Sequence, residues 1–366
     1  MPLILLGVVL AVIILLERYV YQRLWQQGLS LELGFSAKEA FEGDQLYLWK
    51  RLTNKKFLPL PWIYITLNIS DGLKYLSYEH DEAQHGAQNS LFSIMGNKSI
   101  YRKKPFVCMK RGVYGVYRVY INATNTLHNI HFHTEQRFHA ELLVFPKLLD
   151  HLDDLDVIFT RLDGSIANNA LINPDPFEFR GIRDYQPSDP LKSVNFKASA
   201  IAQQLMVNMY APTSSPKVML LLNLEGEVTH DVLEMGIKLI ATLASHYIQK
   251  GVRTAFSTNG RDASTMNVIA LPGGVSNGHL YRIFESLARI SFGFHPAPMA
   301  QYVDELTDIT MVYVLVSSHV DDGLIAAFND AKQRGLDVLL IVPTEDEDMA
   351  AHIPRSKDII PWMIPK

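Results

Sequence analysis

Fifteen uncharged residues, Pro2 to Leu16 ("PLILLGVVLAVIILL"), constrain this chain before anything else does. As a helix rising about 1.5 Å per residue, the run is short for a hydrocarbon core of about 30 Å. It continues as "ERYVYQRLW", where Tyr19, Tyr21 and Trp25 suit the interfacial aromatic belt. Arg18 and Arg23 follow the run, and no Lys or Arg stands before it. The positive-inside rule then places the N-terminus outside and the bulk of the chain in the cytoplasm. A signal peptide calls for a basic n-region and a small-residue cleavage site, and neither is clear here. The segment 1–25 therefore reads as an uncleaved, single-pass anchor in the cell membrane, with an interfacial helix as the alternative.

The 366 residues suit two or three domains. A formal net charge of -4 argues against a nucleic-acid binder and against an acidic solvating tail. A single cysteine, Cys108, cannot form an internal disulfide and reads as a small buried hydrophobe.

From 26 to 147 the pattern is strand-like. "LYLWKRLTN", "WIYITLNI", "GVYGVYRVYIN" and "AELLVFP" are rich in aromatic and β-branched residues, separated by turn signals such as Glu42-Gly43-Asp44. An antiparallel β-sandwich follows. Residues 148–178 read as a linker, with room for a strand and a short helix. After 179 the period changes. "LMVNMY", "KVMLLLNL", "RTAFST", "TMVYVLVSS" and "DVLLIVP" are apolar runs of strand length. Helical patterns alternate with the later ones: one opens after Thr229 and closes before Gly251, and another is capped by Asp321 or Asp322 and stopped at Gly335. This is an α/β domain with a mostly parallel sheet. The whole is an α+β multidomain chain without a nucleotide-binding fingerprint.

The stretch Phe179 to Ala200, "FRGIRDYQPSDPLKSVNFKASA", concentrates charge. Asp189-Pro190 has the form of a helix start. Arg183 and Tyr185 share a side if the backbone is extended, and Arg183 can pair with Asp189 or Asp184. One reading is a polar network bracing a domain junction. The other is a partner surface made by Arg180, Arg183, Lys192 and Lys197. No nucleophile–base pairing is visible in sequence, so no catalytic residue is assigned and the chain does not read as an enzyme.

This stretch, followed by "LMVNMY", resembles the signature of domain-of-unknown-function family 58. Arg183, Tyr185, Asp189, Asn195, Lys197, Ser199 and Ala200 match it. Ser188 stands in place of a glycine, Phe196 of a tryptophan and Ile201 of an arginine. Glu42-Gly43-Asp44, Asn54, Arg111-Gly112-Val113-Tyr114 and Val144-Phe145-Pro146 fall in the family's order. The resemblance implies a divergent member with a von Willebrand factor A-like α/β domain over 179–366. It also implies a MoxR-type AAA+ ATPase as partner. Most members carry two membrane helices, and this chain has room for one.

In A domains a metal is held by Asp-x-Ser-x-Ser after the first strand. Here that place reads Asn223-Leu224-Glu225-Gly226-Glu227, with Asn223, Glu225 and Glu227 at the ligand positions. Mg2+ wants small oxygen ligands in near-octahedral geometry, and two glutamates crowd it. A degenerate site without a metal cofactor is expected. His131 and His133 alternate onto one strand face, with His128 and His139 nearby, and read as exposed sheet histidines in preference to a zinc site. The function implied is an anchored protein-interaction module. The alternatives are a metal-dependent hydrolase using Asn223, Glu225 and Glu227 or the histidines, and a structural membrane component that binds extended partners at a free sheet edge.

Overall fold

The computed structural model describes residues 2–68, 72–76, 83–84, 87–150, 155–172, 174–187, 189, 191–212, 217–226, 228–345 and 356–364. At 2–3, 83–84, 87, 168–172, 174–180 and 210–212 it describes the backbone alone. The chain divides into two units, Met1–Lys147 and Leu148–Lys366.

The first unit opens with helix α1 (Pro2–Leu24). Its segment Ile4–Leu24 is long and apolar enough to cross a membrane. Leu5, Leu10 and Leu16 stand exposed, whereas Tyr21 and, just past the helix, Trp25 are buried. The strands that follow are β1 (Leu29–Phe35), β2 (Glu39–Phe41), β3 (Gln45–Asn54), β4 (Leu60–Asn68), β5 (Leu73–Tyr75), β6 (Ala83–Gln84), β7 (Ala87–Ile94), β8 (Lys98–Cys108), β9 (Gly112–Thr124) and β10 (His131–Phe145). Among the described residues they form two sheets, ordered β1-β3-β8-β5 and β2-β10-β9-β4-β7-β6. Every pairing is antiparallel except β2 with β10. Period-two alternation sends Leu48, Leu52 and Phe106 from one sheet, and Ile63, Ile65 and Ile121 from the other, into one shared core. The unit is a sandwich, and Tyr21 and Trp25 belong to its core.

The motif residues of this unit have structural roles. Gly43 turns the chain at φ +99 and donates its N–H to Cys108 O at 2.8 Å. Asp44 Oδ2 accepts from Phe41 N at 2.8 Å. Asn54 is fully buried and donates to Leu58 O and Met95 O, at 2.8 and 3.2 Å. The Tyr114 hydroxyl lies so close over Gly72 that a Cβ there would meet it at 1.8 Å. Cys108 is buried, and burial is the main cause that pushes its thiol up to about 11.

The second unit differs at its start from the expected linker. Leu155, Ile158, Phe159 and Leu162 are all buried, at i, i+3, i+4 and i+7, and place helix α2 (Asp156–Ile172) against the domain. The Asn- and Pro-rich residues beyond them obscure that period. Strand β11 (Pro174–Asp184) follows, then a single 3-10 turn at Leu191–Ser193, helix α3 (Phe196–Ala202) and strand β12 (Met206–Pro212), which pairs antiparallel with β11. The turn after Pro212 lies outside the described residues, as does most of the acidic "TEDEDMA" stretch.

The larger sheet is built from β13 (Lys217–Asn223), β14 (Arg253–Asp262), β15 (Val268–Gly274), β16 (Ile290–Ser291), β17 (Met311–Ser317), β18 (Asp337–Thr344) and β19 (Ile359–Met363). The order is β15-β14-β13-β17-β18-β19, with β16 also pairing β14. The run from β14 to β19 is parallel, and β15 and β16 are antiparallel. Helices α4 (His230–Gln249), α5 (Asn277–Arg289), α6 (Met299–Asp304) and α7 (Asp322–Gln333) connect the strands. Leu221, Leu315 and Leu340 share a core with α6 and α7. Leu222 faces the other way, where a Cβ on Gly236 of α4 would lie 3.6 Å from it. Helices thus cover both faces of the sheet. Asp321 caps α7 by accepting from Leu324 N at 2.7 Å, and Gly251 and Gly335 stop α4 and α7 at positive φ. Thr229 sits at the N-cap of α4 without a side-chain cap bond.

A buried carboxylate fastens this unit. Asp358, just before β19, accepts from Arg161 of α2 and pairs with Lys332 of α7 at 3.0 Å. Burial pushes its pKa up, but the two cations outweigh that and hold it below the usual carboxylate range. Its contribution is therefore present above the ordinary value of about 3.9 and lost as pH falls through the depressed one. Asp358→Asn is expected to cost about 1–3 kcal/mol at pH 7 in thermal unfolding, with the gap to wild type closing on acidification. Equal stability at pH 7, or a gap that widens in acid, contradicts this.

Candidate functional site

Two places concentrate polar groups: the segment around α3, and the loops at the carboxyl ends of β13, β14 and β17.

In the first, Arg183 makes a bidentate pair with Asp189, Nη1 to Oδ2 at 2.7 Å and Nη2 to Oδ1 at 2.6 Å. Arg183 Nη1 also donates to Asp184 O at 2.9 Å, and Asp189 Oδ2 accepts from Gln186 N at 2.8 Å. The Arg183 hydrogen bond, then the Gln186 amide, hold the Asp189 carboxyl below its ordinary range. Asp189 thus closes a turn and grips an arginine; it does not cap a helix, as Asp189-Pro190 led one to expect. The α-helix begins six residues later, where Asn195 Oδ1 accepts from Ala198 N at 2.9 Å. Asn195 is itself a preferred N-cap residue, and that was the signal in the sequence.

Asn195 and Ser199 tie α3 to β12. Asn195 N donates to Met206 O at 2.8 Å, Asn195 Nδ2 to Asn208 Oδ1 at 2.7 Å, and Met206 N to Ser199 Oγ at 2.8 Å. Tyr185 N donates to Leu205 O at 2.9 Å. Arg183, Asp189, Asn195 and Ser199 therefore form one internal clasp. Its printed partners are all local, which replaces the expected junction brace by a self-contained fold. Lys192 and Lys197 are exposed. The side chain of Arg180, and Ser188 and Pro190 entirely, lie outside the described residues.

What the clasp holds still is apolar. Helix α3 has no buried residue. Phe196 is 77% exposed, Ile201 79% and the neighbouring Leu191 73%. Neither periodicity nor charge in the sequence reveals this, because a core helix would carry the same residues.

The second place lies where the strand order reverses, between β13 and β17, with Asn223 and Ser317 at the strand ends. Asn223 Oδ1 accepts from Glu225 N at 3.0 Å and from Asn259 Nδ2 at 2.7 Å. Asn223 Nδ2 donates to Ser317 Oγ at 2.9 Å, and that hydroxyl donates to His319 O. Asn259 Oδ1 accepts from Leu224 N at 2.9 Å and its Nδ2 also reaches Ala297 O at 2.9 Å. The backbone donors fix both amide orientations, and the network is fully paired. Both lone pairs of the Asn223 oxygen are occupied, so it can ligate a cation only by breaking a bond. Glu225 Oε2 accepts from Met299 N at 3.0 Å, and Glu227 lies outside the described residues. A cleft of about 380 Å³ adjoins the network, bordered by His230, Arg261, Phe292, Phe294 and His295.

The histidines of β10 do not converge. His131 and His133 do share the exposed face of the strand. His133 Nδ1 pairs with Asn122 Oδ1 at 2.7 Å, His128 Nδ1 with Thr124 Oγ1 at 3.1 Å, and His139 Nε2 lies 3.7 Å from Glu141 Oε1. Among the described residues no three His, Cys, Asp or Glu side chains gather into a metal-binding group.

No protein-family model matches the chain, and no curated protein matches it. Among solved structures it is similar to a non-cellulosomal cohesin from the archaeon Archaeoglobus fulgidus, at 11% identity over 31% of this chain and 91% of that one, TM-score 0.23. The CARDB domain of a Pyrococcus furiosus protein, in complex with di-metal ions, aligns at 10% identity over 33% and 97%, TM-score 0.22. A scaffoldin B cohesin of Acetivibrio cellulolyticus aligns at 12% identity over 32% and 99%, TM-score 0.23. Scores at this level place no chemistry on this chain.

The amide network makes two checks available. Asn259→Ala strands the Leu224 N–H and one lone pair of Asn223, and is expected to cost about 2–4 kcal/mol in denaturant unfolding. Calorimetric titration of the wild type with Mg2+ or Mn2+ at millimolar concentration is expected to give no saturable heat, and a saturable heat at stoichiometric ratio contradicts the assignment.

Proposed function

We propose that the chain is a membrane-anchored protein-interaction module whose docking element is the clasped segment 179–206. The observation that carries this reading is α3: a helix pinned by Asn195 and Ser199 that nevertheless buries nothing and offers Phe196 and Ile201 to solvent. A short helix costs ordering entropy, and holding one rigid with its apolar residues outward favours a surface that binds another protein. Family 58 membership is part of the proposal. The sheet order, with helices on both faces and one reversal between β13 and β17, supports a von Willebrand factor A-like domain. The signature-like positions then divide into a clasp (Arg183, Asp189, Asn195, Ser199) and a displayed aromatic (Phe196). On the same reading the partner is a MoxR-type AAA+ ATPase and the domain faces the cytoplasm. The saturated Asn223 amide speaks against the metal-dependent hydrolase.

Co-purification from solubilised native membranes tests this. Wild type is expected to retain a MoxR-type ATPase. Phe196→Asp combined with Ile201→Asp is expected to weaken that retention at least about tenfold, with the melting temperature unchanged because neither side chain is buried. Arg183→Ala is expected to weaken it as well, by loosening the clasp. Retention of the ATPase by all three proteins, or by none, sinks the assignment of the surface.

A further inference from the structure

The sandwich carries a second apolar surface, at the end where α1 enters it. Three loops meet there: 55–59 between β3 and β4, 95–97 between β7 and β8, and 125–130 between β9 and β10. At their tips Phe57 is 88% exposed, Met95 67% and Leu127 51%. One residue of α1 gathers two of the loops. The Tyr21 hydroxyl donates to Pro59 O at 2.8 Å and accepts from Thr126 Oγ1 at 2.8 Å. The third is joined to the first by Asn97 N to Lys56 O at 3.0 Å, and Asn54 Nδ2 reaches both Leu58 O and Met95 O. Lys56 Nζ donates to Trp25 O at 2.7 Å, so the first loop is fastened to the base of the helix as well.

The depth of these tips follows from one more bond. Thr126 N donates to Glu17 Oε1 at 3.1 Å. Glu17 is the residue directly after Leu16, the last of the uncharged run. Leu127, next to Thr126, therefore rides level with the point where α1 changes from apolar to charged. From Trp25 back to Glu17 a helix rises about 12 Å, which is how far this loop climbs alongside it.

We propose that this end of the sandwich lies on the bilayer, with Phe57, Met95 and Leu127 set into the headgroup region around α1. The proposal rests on the reading of α1 as a membrane-spanning anchor. The occupant is lipid because the tips continue a surface that α1 already presents at the same height. The neighbouring cations fit anionic headgroups: Arg18 and Arg23 on the helix, and exposed Lys55 and Lys98 at the loop bases. Trp62, part-exposed and edge-on to His128 at the same end, is an interfacial residue type. Length argues the same way. Fifteen apolar residues span about 22 Å, less than a core of about 30 Å, and a short span is accommodated by thinning the bilayer or seating flanking groups in it.

The test uses the full chain reconstituted in vesicles of equal parts phosphatidylcholine and phosphatidylglycerol. Single cysteines are introduced as Phe57→Cys, Met95→Cys, Leu127→Cys, Val9→Cys and Lys110→Cys, and labelled with an environment-sensitive maleimide dye. Cys108 stays unlabelled, being buried with its thiol at about 11. Spin-labelled lipids then report contact. Dyes at 57, 95 and 127 are expected to shift to the blue and lose about half their emission to nitroxides placed about 5–10 Å below the headgroups, while the dye at 110 is unaffected. The dye at 9 is expected to be quenched by deep nitroxides. Quenching at 9 with tips no more quenched than 110 overturns the proposal and leaves the anchor standing. No quenching at 9 overturns the anchor and the proposal with it. Tips that shift to the blue without lipid quenching mean that protein, a second copy included, covers them, which also overturns it.

Discussion

The first unit depends on two side chains of its own anchor. Tyr21 and Trp25 come from the segment that leads out of the apolar run, yet they sit in the sandwich core, where Trp25 stacks on Phe132 with ring centroids 5.3 Å apart. An aromatic pair of this kind adds to what burial alone contributes. The consequence is geometric. A helix that ended in a flexible tether would let the domain tumble, whereas one that ends inside a core sets the height and direction of every loop around it.

The second unit works by a different division of labour. Its most charged segment is not a reaction centre. Arg183 and Asp189 neutralise each other, and their bidentate pairing fixes a turn that a short sequence could not hold alone. Asn195 and Ser199 then fix α3 against β12, and the side chains left over are apolar and outward. At the carboxyl end of the larger sheet the same economy appears in neutral form. Asn223, Asn259 and Ser317 satisfy one another and the backbone, so the loops are positioned by amides where an A-type domain would use a cation.

Much of the architecture was legible because it rests on periodicity. Alternation in β3, β4 and β9 marked the sandwich, and the apolar runs of β13, β17 and β18 marked the parallel sheet. The apolar run marked α1. What escaped depended on longer-range partners. Helix α2 carries a clear i, i+3, i+4, i+7 pattern, but its Asn-rich second half and the Pro residues after it looked like a linker. Asp189 looked like a cap because Asp-Pro so often is one; the competing partner, Arg183, wins through a two-bond ionic contact. The exposure of Phe196 and Ile201 could not be read at all, since burial is a property of what packs above a residue. The convergence of Phe57, Met95 and Leu127 required the loop geometry and the Glu17–Thr126 bond.

The central claim is that Phe196 faces a protein partner while the chain stands in its membrane. A photoactivatable amino acid placed at position 196 of the full-length protein, irradiated in native membranes, tests it most directly. The account predicts one dominant adduct, to a MoxR-type AAA+ ATPase, that disappears when Ile201 is replaced by aspartate. Adducts to lipid or to the chain itself, without that ATPase, would contradict it.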